Sequence, residues 1–363
     1  MPREPMLSAD DVAPPAPASA PYASFSGEED SALRPQRMED MVGQRAVYER
    51  LKIAVDAARI RQEPLGHILL DGPPGLGKTT FATCIPRALN VPLQIASGAA
   101  LAAPKDLLPY LTNAEEGSVL FIDEIHRLPK AVEEFMYPAM EDFRIDITLG
   151  EGMSARTVNM KLRPFTLIGA TTRTGLLSAP LRDRFQVREH LDFYSREELQ
   201  ELIRRNARKL RVELSDDAAQ KIAVCSRGTP RIANNRLRWV RDYATTKADG
   251  VISLPVAEAA LGMLGVDQVG LDGQDRKYLE TILRVFHGGP VGVEAVAHTL
   301  NTAIDTLTDE VEPFLLRAEL VVRTPRGRQL TAKGYEHLGV KSPHEIRRST
   351  HGDNDGPLPL FAE

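Results

Sequence analysis

Short apolar runs alternating with amphipathic stretches fill the chain from about Leu33 to Tyr194. His67-Ile68-Leu69-Leu70 runs into a Gly/Pro turn, and the stretches from Ser118 to Ile122 and from Phe165 to Ile168 repeat the pattern. Unbroken apolar runs of this length suit strands buried on both faces, and each has helical sequence before or after it. A parallel sheet covered by helices on both sides is the expected result. From Ser195 to about Leu264 the period lengthens. Leu199, Leu202 and Ile203, then Ala218, Ile222 and Ala223, recur at helical spacing, with Ser215-Asp216-Asp217 as a helix start ahead of the second set. After Gly270, three short helical patterns precede an apolar run at 320–323, a turn at 324–327 and a second run at 328–330. Three helices and a β-hairpin outline a winged helix. The ends carry no apolar periodicity: Pro, Ala and Ser dominate the first, Asp, Gly and Pro the last, and both read as disordered. The expected organisation is a disordered extension at 1–30, a large α/β domain at 31–194, a small helical domain at 195–267, a winged helix at 268–345 and a disordered tail at 346–363.

With 363 residues the chain exceeds what a single core usually holds, in agreement with that division. Cys84 and Cys225 are too few for a disulfide framework, and no CxxC or His/Cys cluster suggests zinc. No apolar stretch approaches the roughly 20 residues of a membrane span, and no signal segment opens the chain; a cytosolic protein is expected. The net charge of −5, from 45 basic and 50 acidic residues, argues against a wholly basic surface but leaves room for a local nucleic-acid patch.

The chemistry begins at residues 72–79, GPPGLGKT, which follow the first strand directly. Glycines there let successive backbone N–H groups turn inward around phosphate oxygens, and the following helix adds its positive end. Lys78 should reach the β- and γ-phosphates and the Thr79 hydroxyl should ligate Mg²⁺. The strand at 119–122 ends in Asp123-Glu124, placing two carboxylates at the sheet's carboxyl edge, where such folds bind ligands. Asp123 would complete the Mg²⁺ environment and Glu124 would deprotonate an attacking water. A carboxylate beside the metal Asp, without an acceptor-binding segment, favours ATP hydrolysis over phosphoryl transfer.

The runs at 121–128 (FIDEIHRL), 137–142 (YPAMED), 167–173 (LIGATTR), 180–185 (PLRDRF), 228–234 (GTPRIAN) and 323–328 (RTPRGR) resemble the RuvB family of bacterial Holliday-junction branch-migration motors, which are AAA+ ATPases. The similarity extends from about Leu33 to Leu338. It implies an AAA+ P-loop core, a helical lid and a winged helix that binds DNA. It also implies roles. Thr172, or Thr171 beside it, would be the sensor at the γ-phosphate. Arg184, with Arg182 as its rival, would be the arginine finger reaching the neighbouring subunit's nucleotide. Arg231 would sense the same subunit's γ-phosphate from the lid. Leu33, Arg34 and Tyr194 would hold the adenosine, and Gly75, Gly77 and Thr80 would line the phosphates with Lys78 and Thr79. ATP and Mg²⁺ are the implied cofactors. The implied partners are duplex DNA and Holliday junctions, RuvA, the RuvC resolvase and further copies in a homohexamer.

Residues 145–150 and 158–162 alternate with period two around Gly150-Glu151-Gly152, which reads as a hairpin. In the family this hairpin docks RuvA, with Ile145, Ile147, Val158 and Met160 as the candidate apolar contact. Residues 323–348 carry a local basic excess in which Arg323, Arg326 and Arg328 are the expected phosphate contacts on the wing. Two positions depart from the family pattern: Ile304 stands where an arginine commonly contacts DNA, and Gln186 replaces a glycine after Arg184-Phe185. Pro357-Leu358-Pro359-Leu360-Phe361 is similar to sliding-clamp docking peptides, without their leading Gln. The leading expectation is an ATP-driven branch-migration motor. The alternatives are a clamp-loader-like AAA+ remodeller and a nucleotide-dependent DNA-binding scaffold with little turnover.

Overall fold

In a computed structural model of the chain, residues 32–149 and 156–342 are described. The expected disordered ends and the Gly150-Glu151-Gly152 loop lie outside the described residues. Met1–Arg34 forms one unit and Pro35–Glu363 a second.

The second unit is built around a five-stranded sheet of order β2-β3-β6-β1-β7. Its strands are β1 (Ile68–Asp71), β2 (Leu93–Ser97), β3 (Val119–Asp123), β6 (Thr166–Thr171) and β7 (Val187–His190), and every neighbouring pair is parallel. The three strands expected from apolar runs are the three central ones. They bury nearly every side chain, whereas the edge strands leave Ile95 and Ser97 of β2 and Arg188 and His190 of β7 exposed, a weaker pattern. Helices α1 (Arg45–Arg61), α2 (Lys78–Leu89), α3 (Pro104–Thr112) and α4 (Lys130–Glu141) accompany this sheet, and the short α5 (Ala179–Asp183) precedes β7. One core unites Leu51, Ile68, Leu70, Phe81 and Ile168 with Leu199, Ile222 and Leu237 of the helices that follow. A second joins Leu69, Leu120 and Ile122 to Val132, Met136 and Phe185.

The next segment is all helix: α6 (Arg196–Lys209), α7 (Asp216–Val224), α8 (Pro230–Lys247) and α9 (Leu254–Met263). Ser195 caps α6 with a reciprocal Glu198 box, and Ser215 caps α7, so both starts are written in the sequence. A third core, of Tyr278, Leu279, Ile282, Val296, Leu315 and Leu330, holds α10 (Gly273–Arg284), α11 (Val293–Leu300), the run of turns α12 (Ile304–Thr306), π-helical Leu307–Val311 and α13 (Glu312–Arg317), the hairpin β8 (Val321–Thr324) with β9 (Gly327–Leu330), and α14 (Ala332–His337). The Arg227 guanidinium reaches from the end of α7 to Asp272 and Asp275 at the start of α10, joining helical segment to winged helix through buried charge.

The antiparallel pair β4 (Arg144–Leu149) and β5 (Arg156–Lys161) forms the expected hairpin, with Ile145 opposite Met160 and Ile147 opposite Val158. Its four candidate docking side chains do not share one environment. Ile145 is fully buried in the second core, so it is not available as a docking contact; Ile147 and Met160 are half-buried against that core, and only Val158 is exposed. All four lie on one face of the hairpin, and the difference follows position along it: Ile145 and Met160 sit at the base against the second core, and Val158 lies nearer the tip.

Candidate nucleotide site

The turn after β1 is shaped by close approach. A Cβ on Gly72, at φ +133°, would sit 2.2 Å from the Leu191 carbonyl oxygen, so only glycine fits. Gly75, at φ +78°, lies against Thr229 and Arg231 at the start of α8, and Arg231 N donates to the Gly75 carbonyl at 3.4 Å. Gly77 starts α2 in a left-handed conformation, and Lys78, Thr79 and Thr80 form the first turn. Lys78 is buried, its Nζ donating to the carbonyls of Gly72 (2.7 Å) and Pro73 (2.9 Å). Burial pushes its ammonium down to about 8, against the opposing pull of Glu124 and Asp123.

Asp123 ends β3 and its Oδ1 accepts the Glu124 N–H at 3.0 Å. Glu124 adopts a left-handed backbone (φ 48°, ψ 49°), unusual for a side chain of this size and costing on the order of 1 kcal/mol or more. Its Oε2 receives the Thr172 hydroxyl at 3.3 Å and lies 3.1 Å from His126 Nδ1. Thr171 is buried; its Oγ1 lies 3.0 Å from His126 Nδ1 and accepts the Arg173 N–H at 3.0 Å. Of the two threonines, Thr172 is the one beside Glu124. Burial lowers the His126 pKa, which favours the neutral ring. A cleft of about 510 Å³ is lined by Pro74, Glu124, Thr172 and Arg231 on this side and by Asp305 and Asp309 on the other.

Tyr194 is buried where the sheet domain meets the helical segment. Its N–H donates to the Gly228 carbonyl at 2.9 Å and its hydroxyl to the Leu76 carbonyl at 3.4 Å. Leu33 and Arg34 belong to the separate unit Met1–Arg34. Arg184 is folded onto its own domain, with its guanidinium 3.1 Å from Glu141, 4.1 Å from the Tyr137 ring centre and donating to the Pro180 carbonyl. Gln186 fills its non-glycine position by accepting the His67 N–H through Oε1 at 2.6 Å.

Among the described residues no group of three or more His, Cys, Asp and Glu could hold a metal ion by itself. Mg²⁺ does not require one, because it is commonly held by one or two protein oxygens together with substrate phosphates. The hydroxyl of Thr79 and the carboxylate of Asp123 are hard oxygen donors of that kind.

The wing separates three arginines that the sequence grouped. Arg323 and Arg328 both donate to Glu312, which is fully buried and also accepts the Tyr278 hydroxyl. Burial pushes the Glu312 carboxyl up, but hydrogen bonds from Arg328, Tyr278 and Arg323 outweigh it and hold it below the usual range. Arg326, at the hairpin tip, is exposed. Ile304 is exposed at the start of α12. The sequence reading assigned no role to His126, Arg173, Glu312 or Asp309. The first two stand inside the runs FIDEIHRL and LIGATTR, but Thr171 is 45 residues from His126 and Asp309 is 136 from Arg173.

No helix among the described residues is long and apolar enough to cross a membrane. The P-loop domain of RuvB Holliday junction DNA helicases matches residues 33–191, the RuvB AAA lid domain 194–267 and the RuvB C-terminal winged helix domain 268–339. A curated relative, the Holliday junction branch migration complex subunit RuvB of Rhodopirellula baltica, is 64% identical over 314 residues, 86% of each chain. The solved structure of the Thermotoga maritima RuvB Holliday junction branch migration motor has a TM-score of 0.79 at 47% identity, covering 86% of this chain and 100% of that one. A point mutant of Thermotoga maritima RuvB gives 0.80 at 47% identity over 86% and 99% of the two chains. The chain belongs to the RuvB family of AAA+ ATPases.

Proposed function

We propose that this chain is an ATP-dependent DNA translocase that drives branch migration at Holliday junctions. The observation that carries the reading is the convergence of Lys78, Glu124, Thr172 and Arg231 at the phosphate loop, in a chain that also holds a winged helix with an exposed basic tip. Lys78 exchanges its two carbonyl partners for phosphate oxygens. Tyr194 holds the adenosine, and the phosphates rest on the backbone of Gly75, Gly77, Lys78, Thr79 and Thr80. Mg²⁺ bound by Thr79 and Asp123 would neutralise charge developing on the phosphates. Glu124 takes the proton of the attacking water, and Thr172 and Arg231 report on the γ-phosphate.

Arg184 acts across a subunit boundary in a homohexamer. To do so it exchanges Glu141 for the neighbouring nucleotide, a swap of one anionic partner for another. Val158, with the half-buried Ile147 and Met160 beside it on the same face, offers the apolar surface for RuvA. The RuvC resolvase would act on the same junction, and the tail at 357–361 is a candidate sliding-clamp peptide. The reading is tested by ATP-driven movement of a four-way junction with the cognate RuvA. Glu124→Gln is expected to bind ATP and leave the junction still; movement at the wild-type rate removes the role of Glu124. A clamp-loader-like remodeller or a scaffold with little turnover would leave the junction in place even with the wild-type chain.

A further inference from the structure

The far wall of the nucleotide cleft belongs to the winged-helix segment. Asp305 and Asp309 stand opposite Glu124, Thr172 and Arg231, and Arg173 bridges the gap. Its Nε donates to Asp309 Oδ2 at 3.1 Å, its Nη2 to the same oxygen at 2.6 Å, and Nη2 also lies 2.7 Å from Asp305 Oδ1. Asp309 sits in the π-helical turn Leu307–Val311, a local geometry common at functional sites.

Arg173 is also joined backward to the hydrolytic carboxylate. Its N–H donates to Thr171 Oγ1, that oxygen lies 3.0 Å from His126 Nδ1, and the same ring nitrogen lies 3.1 Å from Glu124 Oε2. The neutral Nδ1 has either one proton or one lone pair to share between Thr171 and Glu124. If it carries the proton it can bond Glu124; if not, it accepts from Thr171 and presents a lone pair to the carboxylate. A shift at Arg173 therefore changes what holds Glu124. Two carboxylates against one guanidinium also leave an excess of negative charge facing the cleft where the triphosphate is placed, so the bridge responds to charge on either side.

We propose that Arg173 is a positioning residue coupling Glu124 to the winged-helix domain, so that displacement of that domain by DNA resets the hydrolytic carboxylate. The proposal rests on the translocase reading above. It is tested on the full chain with RuvA by measuring KM and kcat for ATP with and without duplex DNA. The variants are Asp305→Asn/Asp309→Asn, Arg173→Asp, and the reversed pair Arg173→Asp/Asp309→Arg. In the double Asn variant KM stays at the wild-type value, while the stimulation of kcat by DNA falls by about fivefold, the low end of a typical coupling between sites. The reversed pair regains stimulation that Arg173→Asp alone has lost. Stimulation equal to wild type in the double Asn variant, or a reversed pair no better than Arg173→Asp, overturns the proposal. A contact that merely held two domains together would not move kcat stimulation apart from KM. A wild-type chain with no DNA-stimulated turnover defeats the translocase reading and the coupling with it; normal stimulation in wild type and variants alike defeats the coupling alone.

Discussion

The phosphate loop and the wing both present basic side chains, but they hold them in opposite ways. Lys78 is buried with two carbonyls as its hydrogen-bond partners among the described residues, and its ammonium is pushed down to about 8. Arg323 and Arg328 are tied to a buried carboxylate that also takes the Tyr278 hydroxyl. One region keeps a desolvated cation bonded to carbonyls rather than to a carboxylate; the other ties two cations to one buried carboxylate. A site that must capture phosphate gains from the first arrangement, because the ligand relieves a cost already present in the free protein. A site that must hold its shape gains from the second. The two wing arginines are thus parts of the domain's framework before they are parts of a DNA surface.

The largest effect expected from this contrast is at Glu312. Glu312→Leu strands two guanidiniums and the Tyr278 hydroxyl, and the winged helix should lose about 3 kcal/mol, the low end for breaking a buried ion pair because Arg323 can turn toward water. Urea unfolding followed through the winged helix reads it. The sign with pH is fixed by the depressed Glu312 pKa: its contribution is complete above the ordinary value of 4.5 and is lost as pH falls through the lower folded value. A variant as stable as wild type at pH 7 would erase the distinction between the two regions.

Lys78→Met tests the other side. ATP affinity should fall by about a hundredfold, the loss of charge-assisted hydrogen bonds to phosphate, while the nucleotide-free chain melts no lower than wild type. The folded pKa of about 8 lies below the ordinary 10.5, so the folded chain binds fewer protons between those values. Wild-type stability should therefore rise with pH across that window, and the methionine variant should lack the rise. Titration calorimetry and thermal melts at pH 7 and pH 10 check both statements. A marked loss of stability in nucleotide-free Lys78→Met would mean that the ammonium is a structural partner, like the wing arginines.

The same contrast shows what the sequence made legible. The strands at 68–71, 119–123 and 166–171 announced themselves because full burial leaves unbroken apolar runs, and the phosphate loop because its glycines occupy conformations that few other residues adopt. The edge strands 93–97 and 187–190 were not read, since half-exposed strands dilute the pattern. The reading of the wing as three equivalent arginines missed Glu312 for another reason. A carboxylate that satisfies distant cations looks, in sequence, like any helical glutamate. Ile145 was misread as docking surface because alternation groups residues on one face without saying how far along the hairpin the core covers that face. Arg173 and Asp309 are 136 residues apart, and only the folded chain brings them together.

The smallest expected effect is at Arg326, and it sharpens the comparison most directly. If Glu312 holds Arg323 and Arg328 in the domain's framework, the exposed Arg326 at the hairpin tip is the wing's main phosphate contact, and Arg326→Ala should weaken duplex binding almost equally for every sequence. The slope of log affinity against log salt should become shallower by about 0.9, one counterion's worth, with little change in stability. Arg328→Ala should do the reverse, lowering the stability of the winged helix by removing one of the donors that hold Glu312 while leaving the slope nearly unchanged. The two substitutions remove the same charge from the same hairpin, so a difference in slope cannot come from net charge. It reports which guanidinium gives up counterions to the duplex and which is already spent on a buried carboxylate.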